Sequence, residues 1–458
     1  MIRPGGWTED SDMSSRGRKT AYRSTGGRQL ASGLVLTGFG LAAAWWLPLE
    51  KPATALGRFS HWQLLALVVA AALFASFLFL VVVPGHRRRG IGLRLAAVWL
   101  GTLSAVSVVE AVCWLWPPGD PERNPWYVNA QPAEDGLPFR RPAGIRWTGR
   151  MPGDMTYGFD PTASLISLST DENGFRNSPT PHRADVVFLG DSYTEGSGVE
   201  DTECFVRLVA SELDLSAANL GRSAYSPGPE LAVLKHYAVP LKPECVIWQV
   251  CESNDLEDGA TWYYWNQNGR PPFFAEGEQN RRTRVEAWKS RSPTWQFYSA
   301  LRSWPWEGRF RLGSGESVAV RFFRPLLAAY HCPRNHPGWR VTVDALSRGQ
   351  EILQQEGIRL LVVLVPLKLR VLGPLVDLPQ KTRSELFGQW NAPEGDTWSN
   401  YLAVFCQGRN LEFLDLTSAF SQAAADGELP FLPYDTHLSP EGHKIAAREI
   451  VEALARQR

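Results

Sequence analysis

Three stretches in the first quarter of the chain, residues 29–49, 62–85 and 95–117, are nearly free of charge, the last interrupted only by Glu110. A helix of about 20 apolar residues matches the ~30 Å hydrocarbon core of a bilayer. Each stretch therefore predicts a membrane-spanning helix, whereas a cleaved leader would account only for the first. The basic residues beside them give a direction. Six precede the first stretch (Arg3, Arg16, Arg18, Lys19, Arg23, Arg28), two separate the first from the second (Lys51, Arg58), and four separate the second from the third (Arg87, Arg88, Arg89, Arg94). Positive flanks stay in the cytoplasm. Residues 1–28 are thus expected to form a cytoplasmic tail, residues 29–117 a three-helix region in the cell (inner) membrane with the lipid bilayer as partner, and the remainder an extracytoplasmic, periplasmic part. Trp45, Trp46, Trp62, Trp114 and Trp116 all fall at the predicted outer interface, where indoles settle.

Charge separates the two parts. The whole chain balances 47 basic against 47 acidic residues, which excludes a strongly basic nucleic-acid binder. Residues 1–117 nevertheless carry a net +7, leaving −7 for the rest. Residues 118–182, rich in Pro, Gly and Arg, read as a lead-in segment with one edge strand at 165–169. From 183 to 458 short apolar runs alternate with helical patterns. Strands are predicted at 185–190, 217–220, 245–250, 359–365 and 412–416, and helices at 202–213, 229–239, 341–355, 398–407 and 440–455. Such alternation predicts a three-layer α/β domain with a mostly parallel sheet and a site at the strand carboxyl ends. Residues 257–338 break the pattern with six Trp and twelve basic against seven acidic side chains. They form a basic, aromatic insertion, read either as a self-packed subdomain or lid, or as a surface that stacks on sugars or rests on headgroups. Cys204, Cys245, Cys251, Cys332 and Cys406 follow the third span; their odd number forbids complete pairing, and no metal-ligand spacing appears.

Four short segments that follow predicted strands carry the chemistry. Residues 190–196 (Gly-Asp-Ser-Tyr-Thr-Glu-Gly) place Ser192 at a strand-to-helix turn. Residues 219–223 contain Gly221, where backbone can approach a ligand closely. Residues 252–255 (Glu-Ser-Asn-Asp) offer the amide of Asn254, and residues 435–443 (Asp-Thr-His-Leu-Ser-Pro-Glu-Gly-His) precede the last helix. A serine hydroxyl attacks well only when an imidazole accepts its proton, and the imidazole needs a carboxylate to orient it. Ser192, His437 and Asp435 supply that set. The Ser192 and Gly221 N–H groups and the Asn254 amide are candidates for holding the oxyanion of a tetrahedral intermediate. Asp191 and Glu195 read as tethers of the turn, and His443 as a packing histidine.

In this order the four segments resemble the SGNH hydrolases, also called GDSL esterases and lipases, and residues 172–177 (Glu-Asn-Gly-Phe-Arg-Asn) look like a segment preceding GDS in membrane-attached bacterial members. The resemblance implies a flavodoxin-like α/β/α sandwich with a five-stranded parallel sheet, and ester hydrolysis or acyl transfer without a metal or other cofactor. Glu252 stands where many members have Gly, and Asp435 lies two rather than three residues before His437. The expected function is a membrane-anchored serine esterase that removes small, acetyl-like acyl groups from extracytoplasmic carbohydrate, with envelope polysaccharide machinery as partner. The alternatives are an O-acyltransferase acetylating an exported polysaccharide, as membrane-linked relatives do for alginate, and a non-catalytic carbohydrate-binding or assembly protein. For the topology, a reporter fused after Arg458 is expected to work only outside the cytoplasm; cytoplasmic activity would reverse the orientation.

Overall fold

The computed structural model describes residues 136–151, 153–155, 164–269, 306–322, 335–378 and 397–456, together with short pieces before residue 102. The three apolar stretches lie outside these residues apart from Leu95, Val98 and Gly101. Among the described residues no helix is long and apolar enough to cross a membrane. The chain divides into two compact units, 1–119 with 282–302, and 120–281 with 303–458. In the first, Thr54–Ala55 pairs antiparallel with Phe59–Ser60.

In the second unit the elements follow in chain order. Strands β1 (Arg146–Arg150) and β2 (Leu165–Ser169) form an antiparallel ribbon. Then come β3 (Val186–Gly190), α1 (Ser192–Glu195), α2 (Phe205–Leu213), β4 (Ala217–Gly221), α3 (Pro227–Val233), β5 (Cys245–Cys251) and α4 (Asp255–Gln267). A hairpin of β6 (Trp306–Arg311) and β7 (Ser317–Phe322) is followed by α5 (Pro337–Glu356), β8 (Arg359–Val365), α6 (Lys368–Leu372), α7 (Trp398–Gly408), β9 (Glu412–Asp415), α8 (Thr417–Ala425) and α9 (Pro440–Ala455). The central sheet has the order β9-β8-β5-β3-β4, every neighbouring pair parallel. The chain leaves β3 for the edge strand β4 and then crosses back to β5, so the winding reverses beside β3. In such sheets the ligand crevice lies at that point, outside the carboxyl ends.

The strands read as unbroken apolar runs because both faces of the sheet are covered. Val186, Phe188, Ile247, Leu361 and Val363 face one core with Phe205 and Val206 of α2, Phe420 of α8 and Ile445 and Ile450 of α9. Val187, Leu189, Trp248, Val250, Val362 and Leu364 face the other with Val233, Leu346 of α5 and Trp398 and Leu402 of α7. Each fully buried side chain of this size contributes about 1.5–3 kcal/mol of transfer free energy. The predicted strands of the sheet and the long helices fall where the periodicity placed them. Leu165–Ser169 differs: it pairs with β1 and stands apart from the main sheet, because its alternation buries only Ile166 and Leu168.

The stretch 257–338, the expected insertion, is described at residues 257–269, 306–322 and 335–338, and the rest of it lies outside the described residues. Its first residues continue α4, which begins at Asp255 and packs against α5, with Gly259 facing Gly338. Its hairpin turns Trp306, Phe310, Val320 and Phe322 into the first core while Arg309 and Arg311 point outward. These pieces are part of the α/β body, hidden in sequence by the outward charges between the apolar positions. The lead-in is equally integral. Arg176 is 1% exposed and donates to the carbonyls of Glu195, Gly196, Ser167 and Val199. The Asn177 side chain pairs with both the N–H and the carbonyl of Asn219 at 2.9 Å, satisfying the free edge of β4.

Glycine is required at two strand ends. Gly190 has φ +153°, and a Cβ there would meet Gln249 and Thr194. A Cβ on Gly221 would stand 2.4 Å from the Glu195 nitrogen and 2.7 Å from the Thr194 carbonyl carbon, both backbone. Gly221→Ala is therefore expected to cost about 1–3 kcal/mol, read as a lowered melting temperature in the purified full chain; an unchanged melt would show that α1 can back away from β4.

Candidate active site

The turn from β3 into α1 carries Ser192. Asp191 caps it by accepting the Tyr193 N–H at 2.9 Å, and α1 ends at Gly196 in the left-handed conformation. Thr194 donates to Gln249 Oε1 at 2.8 Å, and the Asn219 amide donates to the Thr194 carbonyl at 2.7 Å. Glu195, 1% exposed, is gripped by Arg141 at 2.6 Å and by the Ser223 N–H at 2.9 Å, with Arg222 at 3.7 Å. Burial alone would raise the Glu195 carboxyl, but the two guanidinium charges and the Arg141 and Ser223 bonds bring it down to about 2. Both expected tethers thus hold the turn, Asp191 as its cap and Glu195 through a buried ion pair.

His437 is brought to Ser192 by the loop before α9. Ser439 caps that helix by accepting the Gly442 N–H at 3.1 Å, with Pro440 at its first position. Lys368, at the start of α6 and 3% exposed, donates to the carbonyls of Leu432, Pro433 and Asp435 at 2.7–2.9 Å. The Tyr193 hydroxyl donates to the Thr436 carbonyl at 2.8 Å, and its ring lies 5.1 Å from the His437 ring. In this frame His437 Nε2 stands 2.7 Å from Ser192 Oγ, and His437 Nδ1 stands 2.5 Å from Asp435 Oδ1. The Asp435 carboxylate also accepts the His437 N–H at 2.9 Å and the Asp154 N–H at 3.0 Å. Burial would raise Asp435, but the His437 charge and these bonds hold it below the usual carboxylate range. Burial would likewise lower His437, yet the charge and hydrogen bond of Asp435, with Asp154 and Asp191 near by, lift it to about 9.

Ser192, His437 and Asp435 therefore form one hydrogen-bonded chain, with a two-residue spacing from Asp435 to His437 that the loop accommodates. The other two expected residues are placed differently. The Gly221 N–H donates to Asn219 Oδ1 at 3.0 Å, so it is not a spare donor, and its lack of a side chain serves the packing of α1. The Asn254 amide donates to Asp258 Oδ2 at 2.9 Å, and it stabilises the Asp191 carboxylate, so it too is engaged within the protein. The Ser192 N–H remains, the first donor of α1 and one that a helix leaves unpaired. Beyond Gly221, the turn from Arg222 to Tyr225 holds the exposed Ala224 in the left-handed region at φ 63°.

Glu252, in the place where the resemblance expects Gly, accepts the Leu367 N–H at 2.9 Å and pairs with Arg370 at 2.9 Å, tying the ends of β5 and β8 together. His443 accepts the Phe205 N–H at 3.2 Å; burial lowers it to about 3, so it stays neutral and packs, as read from the sequence. His336 caps α5. Cys204, Cys245, Cys251 and Cys406 are buried free thiols. Atoms of Asp154, Asp435 and His437 lie within 4.8 Å of one another, close enough to share a metal ion. Both ring nitrogens of His437 are already engaged, by Ser192 and by Asp435, so the set suits proton sharing better than coordination.

Sequence reading missed Arg141, Asp154, Tyr193 and Lys368. Tyr193 alone carried a signal, its place directly after Ser192. Removing Arg141 leaves Glu195 buried without its main partner, so Arg141→Ala is expected to cost about 3–5 kcal/mol. A depressed carboxyl stabilises above its unfolded value and loses that contribution as pH falls towards its folded one. Thermal melts of the native protein should therefore lose this contribution between pH 4.5 and about 2, and the Arg141→Ala melts should lack that step.

Residues 330–458, which hold Asp435 and His437, match a family model described as "ALGX: SGNH hydrolase-like domain, acetyltransferase AlgX". Over 116 residues the chain is 33% identical to "Probable alginate O-acetylase AlgJ" of Pseudomonas putida, a match covering 25% of this chain and 27% of that protein. The chain thus spans about a quarter of the length of this curated relative. Among solved structures, an acetylxylan esterase from Geobacillus stearothermophilus is similar at 13% identity and TM-score 0.31, covering 59% of this chain and 93% of that one. A GDSL-like lipase from Bacteroides thetaiotaomicron is similar at 13% identity and TM-score 0.28, with 62% and 93% covered.

Proposed function

We propose that this chain, which over residues 330–458 belongs to the SGNH hydrolase-like family, is a serine-dependent enzyme acting on small acyl esters of carbohydrate. The observation that carries the reading is the continuous link from Ser192 Oγ through His437 to Asp435, at 2.7 and 2.5 Å. Ser192 Oγ attacks the ester carbonyl carbon while His437 Nε2 takes the hydroxyl proton. The tetrahedral intermediate places its negative oxygen against the Ser192 N–H. Collapse breaks the bond to the sugar oxygen, which leaves with the proton from His437, and Ser192 holds the acyl group. A second nucleophile then gives its proton to His437 as it attacks the acyl carbon, and collapse breaks the bond to Ser192 Oγ, which takes that proton back and frees the acyl group. Asp435 orients the ring throughout and balances the imidazolium charge. For a ligand oxygen to use the Gly221 N–H or the Asn254 amide, these groups would have to leave Asn219 and Asp258.

Water as the second nucleophile makes the protein an acetyl esterase; a sugar hydroxyl makes it an O-acyltransferase. The second reading is supported by the acetyltransferase family model and the alginate O-acetylase relative. The apolar stretches and their basic flanks support an inner-membrane anchor with the catalytic part facing the periplasm, beside the machinery that exports envelope polysaccharide. For the test, the full chain in detergent is incubated with a fluorophosphonate probe and with p-nitrophenyl acetate. Ser192→Ala and His437→Ala are expected to lose labelling and at least about a thousandfold in turnover. Equal inertness of wild type and Ser192→Ala would end the serine-enzyme reading. Adding free and acetylated oligosaccharides separates transfer from hydrolysis by whether the acyl group appears on sugar or as free acid.

A further inference from the structure

The lead-in segment reaches the site through Asp154. Its main-chain N–H donates to Asp435 Oδ2 at 3.0 Å. Its carboxylate accepts the Thr436 N–H at 3.1 Å and the Thr436 hydroxyl. The next residue anchors the same piece, because the Met155 N–H donates to the Tyr434 carbonyl at 3.2 Å and the Met155 carbonyl accepts from Arg321 at 3.0 Å. Asp154 thus grips both residues that precede His437, and oxygens of Asp154 and Asp435 lie within 4.8 Å of a ring nitrogen of His437. We propose that Asp154 is a positioning residue for His437, holding the loop 435–437 by three hydrogen bonds and adding a second carboxylate charge to the imidazole. This inference rests on the reading of His437 as the base.

Several groups share the neighbourhood. Facing His437 are Asp435 on its own loop, Asp154 from the lead-in, Asp191 and Tyr193 from the β3–α1 turn, and the neutral His443 on α9. Lys368 on α6 faces Asp154. Asp154 is exposed to solvent as a residue, yet the protein atoms packed around its carboxyl and the Asp435 charge lift it to about 6. Above that pH it is negative and favours the protonated ring. The base form of His437 therefore appears only as pH rises towards 9. Loss of one carboxylate lets the ring deprotonate at lower pH.

The test compares Asp154→Asn and Asp154→Ala with wild type in the full chain. Asparagine keeps an oxygen to accept from Thr436 and removes the charge. Its pH profile of kcat/KM should move to lower pH by about one unit. Alanine also removes both side-chain bonds to Thr436 and leaves only the main-chain N–H on Asp435, so its plateau should drop by about tenfold. A direct NMR titration of the His437 ring, assigned with His437→Gln, should show the same shift in Asp154→Asn. That titration needs no turnover, so it judges Asp154 even if the enzyme reading fails. A His437 midpoint unchanged in Asp154→Asn would overturn the proposal, whatever the effect on melting temperature.

Discussion

The site depends on one backbone event, the tight passage from β3 into a four-residue helix that turns Ser192 out at the end of the sheet. Such a helix is too short to hold itself, since forming a first turn costs more than it returns. Its stability comes from buried polar groups that surround it: Asp191 as cap, Gln249 on Thr194, Arg141 and Arg222 on Glu195, and Arg176 on the carbonyls of Glu195 and Gly196. Two of these arginines come from the lead-in, so the segment before the α/β domain is a structural part of the turn that carries Ser192. Gly221 completes the arrangement from the neighbouring strand by allowing the α1 backbone to approach.

The histidine loop is held by a second, separate set. Lys368 gathers three carbonyls, Tyr193 takes a fourth, and Phe431 bridges to Leu438 across the loop. Tyr193 belongs to α1, so the two sets meet in that one side chain: the residue after Ser192 steadies the carbonyl before His437. The serine and histidine are 245 residues apart in the chain, and their 2.7 Å approach is the joint result of two braced turns rather than of any local preference.

This division explains what could be read in advance. The five sheet strands were legible because burial on both faces leaves apolar runs such as Val-Val-Phe-Leu at 186–189, and α9 was legible from Ser439-Pro440 at its start. The residues Ser192, Asp435 and His437 were legible because short segments bring each to a strand or helix end. The β6–β7 hairpin was not, since Glu307, Arg309 and Arg311 sit between its buried positions. Arg141 and Asp154 were not, because their partners lie 54 and 281 residues away and neither belongs to a periodic element. Gly221 and Asn254 were read as donors free for an oxyanion, whereas they donate to Asn219 and Asp258, neighbours that the chain order does not reveal.

Carboxylates of the same type take different parts here because their partners differ. Glu195 meets two guanidinium groups and stays ionised to about pH 2, a fixed anion that locks the turn. Asp435 meets an imidazole and two N–H groups, and its charge is kept available to the ring. Asp191 is buried with fewer partners and rises to about 6, and Asp258, its neighbour through Asn254, is pushed by burial to about 7. A ring placed among Asp435, Asp154 and Asp191 is easily protonated; in the proposed mechanism this weakens it as a base in the resting protein but strengthens the imidazolium once Ser192 gives up its proton. In that mechanism the same carboxylates that hold back the first proton transfer stabilise the charge that the transfer creates, and its rate turns on how much of that stabilisation is already present before the substrate arrives.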